Sequence, residues 1–190
     1  MTEDRRQRVL ESGMDLFLHY GFRRTTMGDI AKAAGMSRPT LYALYPSKEA
    51  IFAGVVERYM TELNHRLSEC FQATDSLADK LHKALDIAVV EPFEMFSGSQ
   101  FKRELLSIED ESVKEQVEAL AAGLEQVYAR CFEGHPDVLT RLRRTAAQMG
   151  RLINSSCLGV KERARDLEEL RMMLNTLVDL VAGADAGQQG

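Results

Sequence analysis

The sequence contains no tryptophan, only four prolines, thirteen glycines and three cysteines in 190 residues, and aromatic residues make up just 7% of it. So little Pro and Gly excludes collagen-like and low-complexity chains. A composition of 45% hydrophobic and 28% charged residues excludes a disordered one. Cys70, Cys131 and Cys157 are odd in number, far apart and set among apolar neighbours. They read as buried, reduced thiols rather than a disulfide frame or a redox sensor, which points to a reducing compartment, the cytoplasm. No run approaches the ~18 apolar residues of a membrane helix. Met1-Thr2-Glu3-Asp4-Arg5-Arg6 leads into an amphipathic pattern rather than an export signal, so neither a membrane partner nor secretion is expected.

Catalytic patterns are also missing. His19, His65, His82 and His135 show no ligand spacing, and there is no Cys-x-x-Cys, no phosphate-cradling glycine loop and no Gly-x-Ser-x-Gly elbow. The acidic run Glu109-Asp110-Glu111 sits where a helix would begin, and reads as charge complementing its dipole rather than a metal site. The expectation is a non-enzyme with no metal and no cofactor.

What the chain does have is helical periodicity almost everywhere, with no alternating strand and no Asn-Gly or Asp-Gly turn. The spacing predicts an all-α fold of about nine helices. The first covers roughly 3–20 and stops at Gly21. Thr26 with Asp29 makes a capping-box start for a short second helix ending at Gly35. Ser37 caps a third, with Pro39 in its first turn and Pro46 closing it, and Ser47 caps a long fourth to about residue 72. Further helices are expected from Leu77 to Val89, near 100–106, from Val113 to Cys131, from Pro136 to just before Gly159, and from Leu167 to Val181. Pro92 is expected to interrupt the chain before Gly98.

Two helices joined by a tight glycine turn have the spacing of a helix-turn-helix, in which the first braces the second in the DNA major groove. Plain packing of two helices fits the bare spacing equally well. Charge is compatible with the DNA reading: residues 1–50 hold eight Lys/Arg against six Asp/Glu, or +2, leaving sixteen against twenty-three, or −7, for the rest.

The residues themselves say more. Leu16-Phe17-x-x-x-Gly21-Phe22-x-x-Thr25-Thr26 is followed by Ala31-x-x-Ala34-Gly35-Met36-Ser37 and Thr40-Leu41-Tyr42-x-x-Tyr45-Pro46-Ser47-Lys48-Glu49. The stretch from Arg8 to Arg58 resembles the DNA-binding domain of tetracycline-repressor-type (TetR family) transcriptional regulators. The resemblance implies a helix-turn-helix DNA-binding domain over 1–47, linked by the helix starting at 48. A ligand-binding and dimerisation domain would follow over 48–182, with a disordered tail at 183–190. It further implies a homodimer that binds a palindromic double-stranded operator, usually as a repressor, and releases it when a small molecule enters the body. Carried over by position, Thr26, Tyr42 and Lys48 would hold phosphates. Arg38, Pro39 and Thr40 would face base edges, the arginine pairing with guanine and the other two meeting a thymine methyl. Tyr45 reads rather as packing. Ala43 and Leu44 depart from the family's polar residues there, so readout by that end of the helix should be sparse. Gly28 is unusual inside a helix and would allow close approach to the backbone.

In the body, Phe93, Met95, Phe96, Phe101, Leu105 and Leu106 cluster around Pro92 and Gly98, where a helix break would make room for an apolar effector. The resemblance suggests Tyr59, Leu63, His82, Met95, Phe101, Tyr128 and Met149 as lining. Two 3-4 stripes, Leu139, Leu142, Ala146, Met149, Ile153 and Leu167, Leu170, Leu174, Leu177, Val181, predict a four-helix interface between two copies, each stripe also partly facing its own body. A helical interaction module without specific DNA binding and a small helical enzyme stay open as other classes.

Overall fold

The structure is a computed structural model that describes residues 2–74, 76–96 and 111–183. Those residues are helical with short connections, and no strand occurs among them. In chain order the helices are α1 (Thr2–Tyr20), α2 (Met27–Ala33), α3 (Arg38–Leu44) and α4 (Lys48–Gln72). After them come α5 (Leu77–Leu85, continued through a π-helical stretch Asp86–Val90 into Glu91–Phe96), α6 (Glu111–Arg130), α7 (Pro136–Leu142), α8 (Ala146–Arg163) and α9 (Leu167–Ala182). The helix expected near 100–106, with Phe101, Leu105 and Leu106, lies outside the described residues. So does the tail, apart from Gly183, which closes α9.

The described residues form two compact units. The first takes 2–61 with 111–120, and the second takes 62–95 with 121–183. In the first, the inward residues of α1 to α4 converge on Val9, Phe17, Phe22, Ile30, Leu41, Ile51 and Phe52, all at most 4% exposed, with Val113 of α6 packed on the same cluster. Phe17, Phe22 and Phe52 form a three-ring nucleus with centroids 5.2, 5.6 and 6.2 Å apart, two of the three pairs edge-on.

The second unit packs Leu63 and Leu67 of α4 with the apolar faces of α5 to α9. Three expectations fail here. Pro92 does not interrupt the helix: the Glu91 amide reaches back five residues to the Asp86 carbonyl, and this wider turn just ahead of the proline lets the helix continue despite the missing donor. The stretch from Pro136 to Ile153 is two helices rather than one. Arg143 takes a left-handed conformation (φ 54°) and Thr145 starts α8 with a capping box to Gln148. The 3-4 spacing from Leu139 to Ile153 runs across that break in the sequence, although the residue that α7 buries is Val138. Nor does Gly159 end α8, which continues to Arg163.

Candidate nucleic-acid interface

The α2–α3 hairpin is fixed at both ends by its own side chains. Thr26 accepts from the Asp29 amide at 3.2 Å, while the Asp29 carboxylate accepts from the Thr26 amide at 3.0 Å and its hydroxyl at 2.6 Å. These hydrogen bonds from Thr26, foremost that of its side chain, hold the Asp29 carboxyl below its ordinary range. Thr25 beside it points inward, its hydroxyl donating to the Gly21 carbonyl at 2.8 Å. The turn passes through Gly35 at φ 66°, a left-handed conformation that favours glycine. Ser37 caps α3, accepting from the Thr40 amide at 3.3 Å, and its hydroxyl lies 2.8 Å from that of Thr40.

This capping, with Leu41 fully buried below, presents the other face of α3 outward. Arg38 and Pro39 are exposed, Thr40 is half-buried, and Tyr42 is 52% exposed. Tyr45 is 8% exposed and packs inside, with the Arg6 guanidinium 5.3 Å from its ring centroid. Ala43 is exposed without a polar group, and Leu44 is half-buried.

Lys48 differs from what its position suggested. Its ammonium donates to the Phe22 carbonyl at 2.7 Å and sits 4.3 Å from the centroid of the Phe22 ring. It therefore ties the start of α4 to the end of α1, a role the sequence hid because the partner is a backbone carbonyl 26 residues away. Reaching a phosphate would mean sharing or giving up that bond.

With this geometry in hand, residues 9–55 match the family described as bacterial regulatory proteins, tetR family. Over that segment the chain is TetR-like. Its relatives include the transcriptional repressor ComR of Escherichia coli, 38% identical over 55 residues (29% of this chain, 26% of that protein). Another is the transcriptional activator FasR of Mycolicibacterium smegmatis, 25% identical over 151 residues (80% of this chain, 66% of that protein). The chain spans between 26% and 66% of the length of the curated relatives it first matches. A solved regulator from Saccharomonospora viridis in complex with choline has the same fold, with TM-score 0.70 at 15% identity, covering 93% of this chain and 96% of that one. TetR-family proteins are regulators rather than enzymes. No described helix is long and apolar enough to cross a membrane.

The body residues fare differently. Of the stripes given to a TetR dimer interface, Met149, Ile153, Leu170, Leu174 and Val181 are at most 7% exposed within one chain, so they serve the chain's own interior. Leu139, Leu142, Ala146, Leu167 and Leu177 are half-buried. The apolar side chains left outward on α8 and α9 are instead Leu152, Leu158, Met172 and Leu180, between 50% and 72% exposed. A groove of about 730 Å³ runs along the outer face of α9, beside Leu167, Met172 and Thr176.

Of the residues suggested as effector lining, Leu63, Tyr128 and Met149 are packed in the second unit's interior, His82 is half-buried and Met95 stands 62% exposed. Tyr59 is half-buried in the first unit, and Phe101 lies outside the described residues. Burial pushes the Cys131 thiol up to about 12 and the Cys157 thiol up to about 11. Both stay protonated and unreactive, as their apolar neighbours implied.

Proposed function

We propose that this TetR-family chain is a homodimeric repressor in the cytoplasm that binds a palindromic operator and leaves it when an apolar small molecule occupies the body. The observation that carries the DNA reading is the division of α3: Leu41 and Tyr45 anchor it inward, and Arg38, Pro39, Thr40 and Tyr42 remain on the free side. In this reading Arg38, Pro39 and Thr40 meet base edges, while Thr26, Tyr42 and, after releasing Phe22, Lys48 meet phosphates. The head is residues 1–47 and the regulatory body 48–182.

The dimer reading rests on Leu152, Leu158, Met172 and Leu180, four large apolar side chains of α8 and α9 that the chain's own interior does not cover. A second copy applying the same face gives an isologous four-helix contact. Blocking transcription asks only that the head occupy its site, so the repressor reading needs no further surface. For the effector, the π-helical turn before Pro92 marks a departure from regular helix of the kind that accompanies functional sites. The choline complex of the Saccharomonospora viridis regulator shows a relative in fold holding a small ligand.

Selection of bound DNA from a random pool tests the core of the proposal. An inverted repeat is expected, and recovery of unrelated sequences would overturn it. Small molecules found by thermal shift are then titrated with and without operator. An effector binds more weakly to the DNA-bound protein by the same factor, typically ~5–150-fold, by which it weakens operator binding.

A further inference from the structure

Gly28 is the second residue of α2, in a place where alanine would favour the helix more. The structure supplies a reason for glycine. A Cβ at position 28 would lie 2.5 Å from Nη2 of Arg38, 2.9 Å from its Nε and 3.0 Å from its Cζ. The Nε–Nη2 edge of the Arg38 guanidinium therefore occupies the space a side chain at 28 would fill. Its charge is felt by Asp29, alongside that of Lys32, as a further influence lowering that carboxyl. Arg38 is an exposed residue at the first position of α3, and such a side chain ordinarily samples many rotamers. Here the room left at Gly28 admits one orientation, and the charge of the Asp29 carboxylate favours it.

We infer that Gly28 is a specificity-determining residue: by lacking a Cβ it preorganises the Arg38 guanidinium against the first turn of α2, so that the arginine meets its base without first being ordered. This rests on the DNA-binding reading above and adds to it a residue that touches no base itself. A guanidinium whose Nε–Nη2 edge is turned to α2 keeps its Nη1–Nη2 end free for a bidentate partner, the geometry of guanine O6 and N7. It also loses less rotamer freedom on binding than a free side chain would. Any residue larger than glycine at 28 and this placement of Arg38 exclude each other. Because the displaced atoms are the far end of a flexible side chain, the substitution moves the arginine and leaves the backbone alone.

The test is a double-mutant cycle on the selected operator and on variants changed one base pair at a time. Wild type, Gly28→Ala, Arg38→Ala and the double variant are compared as full-length chains. Gly28→Ala should lower affinity for the selected site and flatten preference at the same base pair as Arg38→Ala, within the roughly 5- to 150-fold that a bidentate contact contributes. In the Arg38→Ala background the same change should do nothing more. The melting temperature should hold or rise, since alanine is the better helix former; a fall would mean that the substitution disturbs the backbone, and would overturn the inference. So would a Gly28→Ala variant with unchanged preference, one that binds more tightly, or a loss that persists undiminished when Arg38 is absent. If wild type itself shows no preferred sequence, it is the DNA-binding reading that has failed, and the two failures are thereby told apart.

Discussion

The two units of this chain solve the problem of fixing helices in different ways. In the first, α2 and α3 are only seven residues each, too short to persist on propensity alone. They are held by discrete devices: the Thr26–Asp29 box, the left-handed Gly35, the Ser37 cap and the Lys48 tie to Phe22. In the second, α8 and α9 run eighteen and sixteen residues and depend on continuous apolar faces. Discrete devices assign each residue a single job. Continuous faces do not, because a stripe at 3-4 spacing looks the same whether it meets its own core or another molecule.

The sharpest break of this comparison lies within α9. Leu174 is 2% exposed and Leu180 is 72% exposed, although both belong to an apolar helix. Leu174→Ala should destabilise the fold by about 2–5 kcal/mol, the usual range for emptying a packed site. Leu180→Ala should leave the stability of the monomer within about 0.5 kcal/mol while weakening self-association. Denaturation at several protein concentrations, paired with sedimentation, separates the two. Equal losses of monomer stability would mean that α9 has no free face.

A second test asks whether the body also holds a position as constrained as those in the head. A Cβ at Gly150 on α8 would collide with the backbone carbonyl of Glu125 on α6, and no side-chain rotation relieves a clash with backbone. Gly150→Ala should therefore cost about 3 kcal/mol, the upper part of the usual range for overpacking. A lowered denaturation midpoint is the expected readout. A midpoint that stayed put or rose would show that α6 and α8 separate easily.

These contrasts explain what could be read in advance. The all-α class, the helix-turn-helix spacing, the Thr26 and Ser37 caps and the inward Tyr45 were legible, because capping and turn chemistry act over three or four residues. The break at Arg143 was not, since a non-glycine left-handed residue leaves little trace in sequence and the 3-4 pattern survived it. Continuation past Pro92 was hidden for a related reason: periodicity does not report a five-residue turn. Lys48 and Gly28 stand out in the sequence, but their neighbours, a carbonyl of Phe22 and the guanidinium of Arg38, are set only by the folded chain. The division of the α8 and α9 stripes into core and outward rows needed the position of every neighbouring helix.

In the head, Thr26→Ala removes a cap that participates in both directions of the box. The loss expected is about 1 kcal/mol. Its pH signature follows from Asp29, whose carboxyl the Thr26 hydrogen bonds hold below the ordinary 3.8. A depressed folded value stabilises above the unfolded one and is lost as pH falls through the folded value. The gap between wild type and Thr26→Ala should thus narrow in acid. A gap independent of pH would detach the cap from the carboxylate.

The smallest effect belongs to the ion pair of the second unit that most resembles the head's discrete fastening. Arg66 of α4 grips Glu91 of α5 through two hydrogen bonds of 2.7 Å, immediately after the π-helical turn. Hydrogen bonding to Arg66 is the largest influence lowering the Glu91 carboxyl, against an opposing push from burial, and the Arg66 value is raised in step. Good geometry would suggest a strong contact, but the side chains are 39% and 46% exposed. Solvent screening then limits the pair to about 0.2–1 kcal/mol. Its contribution should be present above the ordinary Glu91 value of 4.5 and fade as pH falls through the lowered folded one. Arg66→Ala should accordingly be slightly less stable than wild type at neutral pH, and the difference should shrink both in acid and in high salt. Denaturant midpoints under those three conditions decide it. A difference unmoved by acid and salt would mean that Arg66 acts by packing its aliphatic stem, placing it with the continuous contacts of the body rather than the discrete ones of the head.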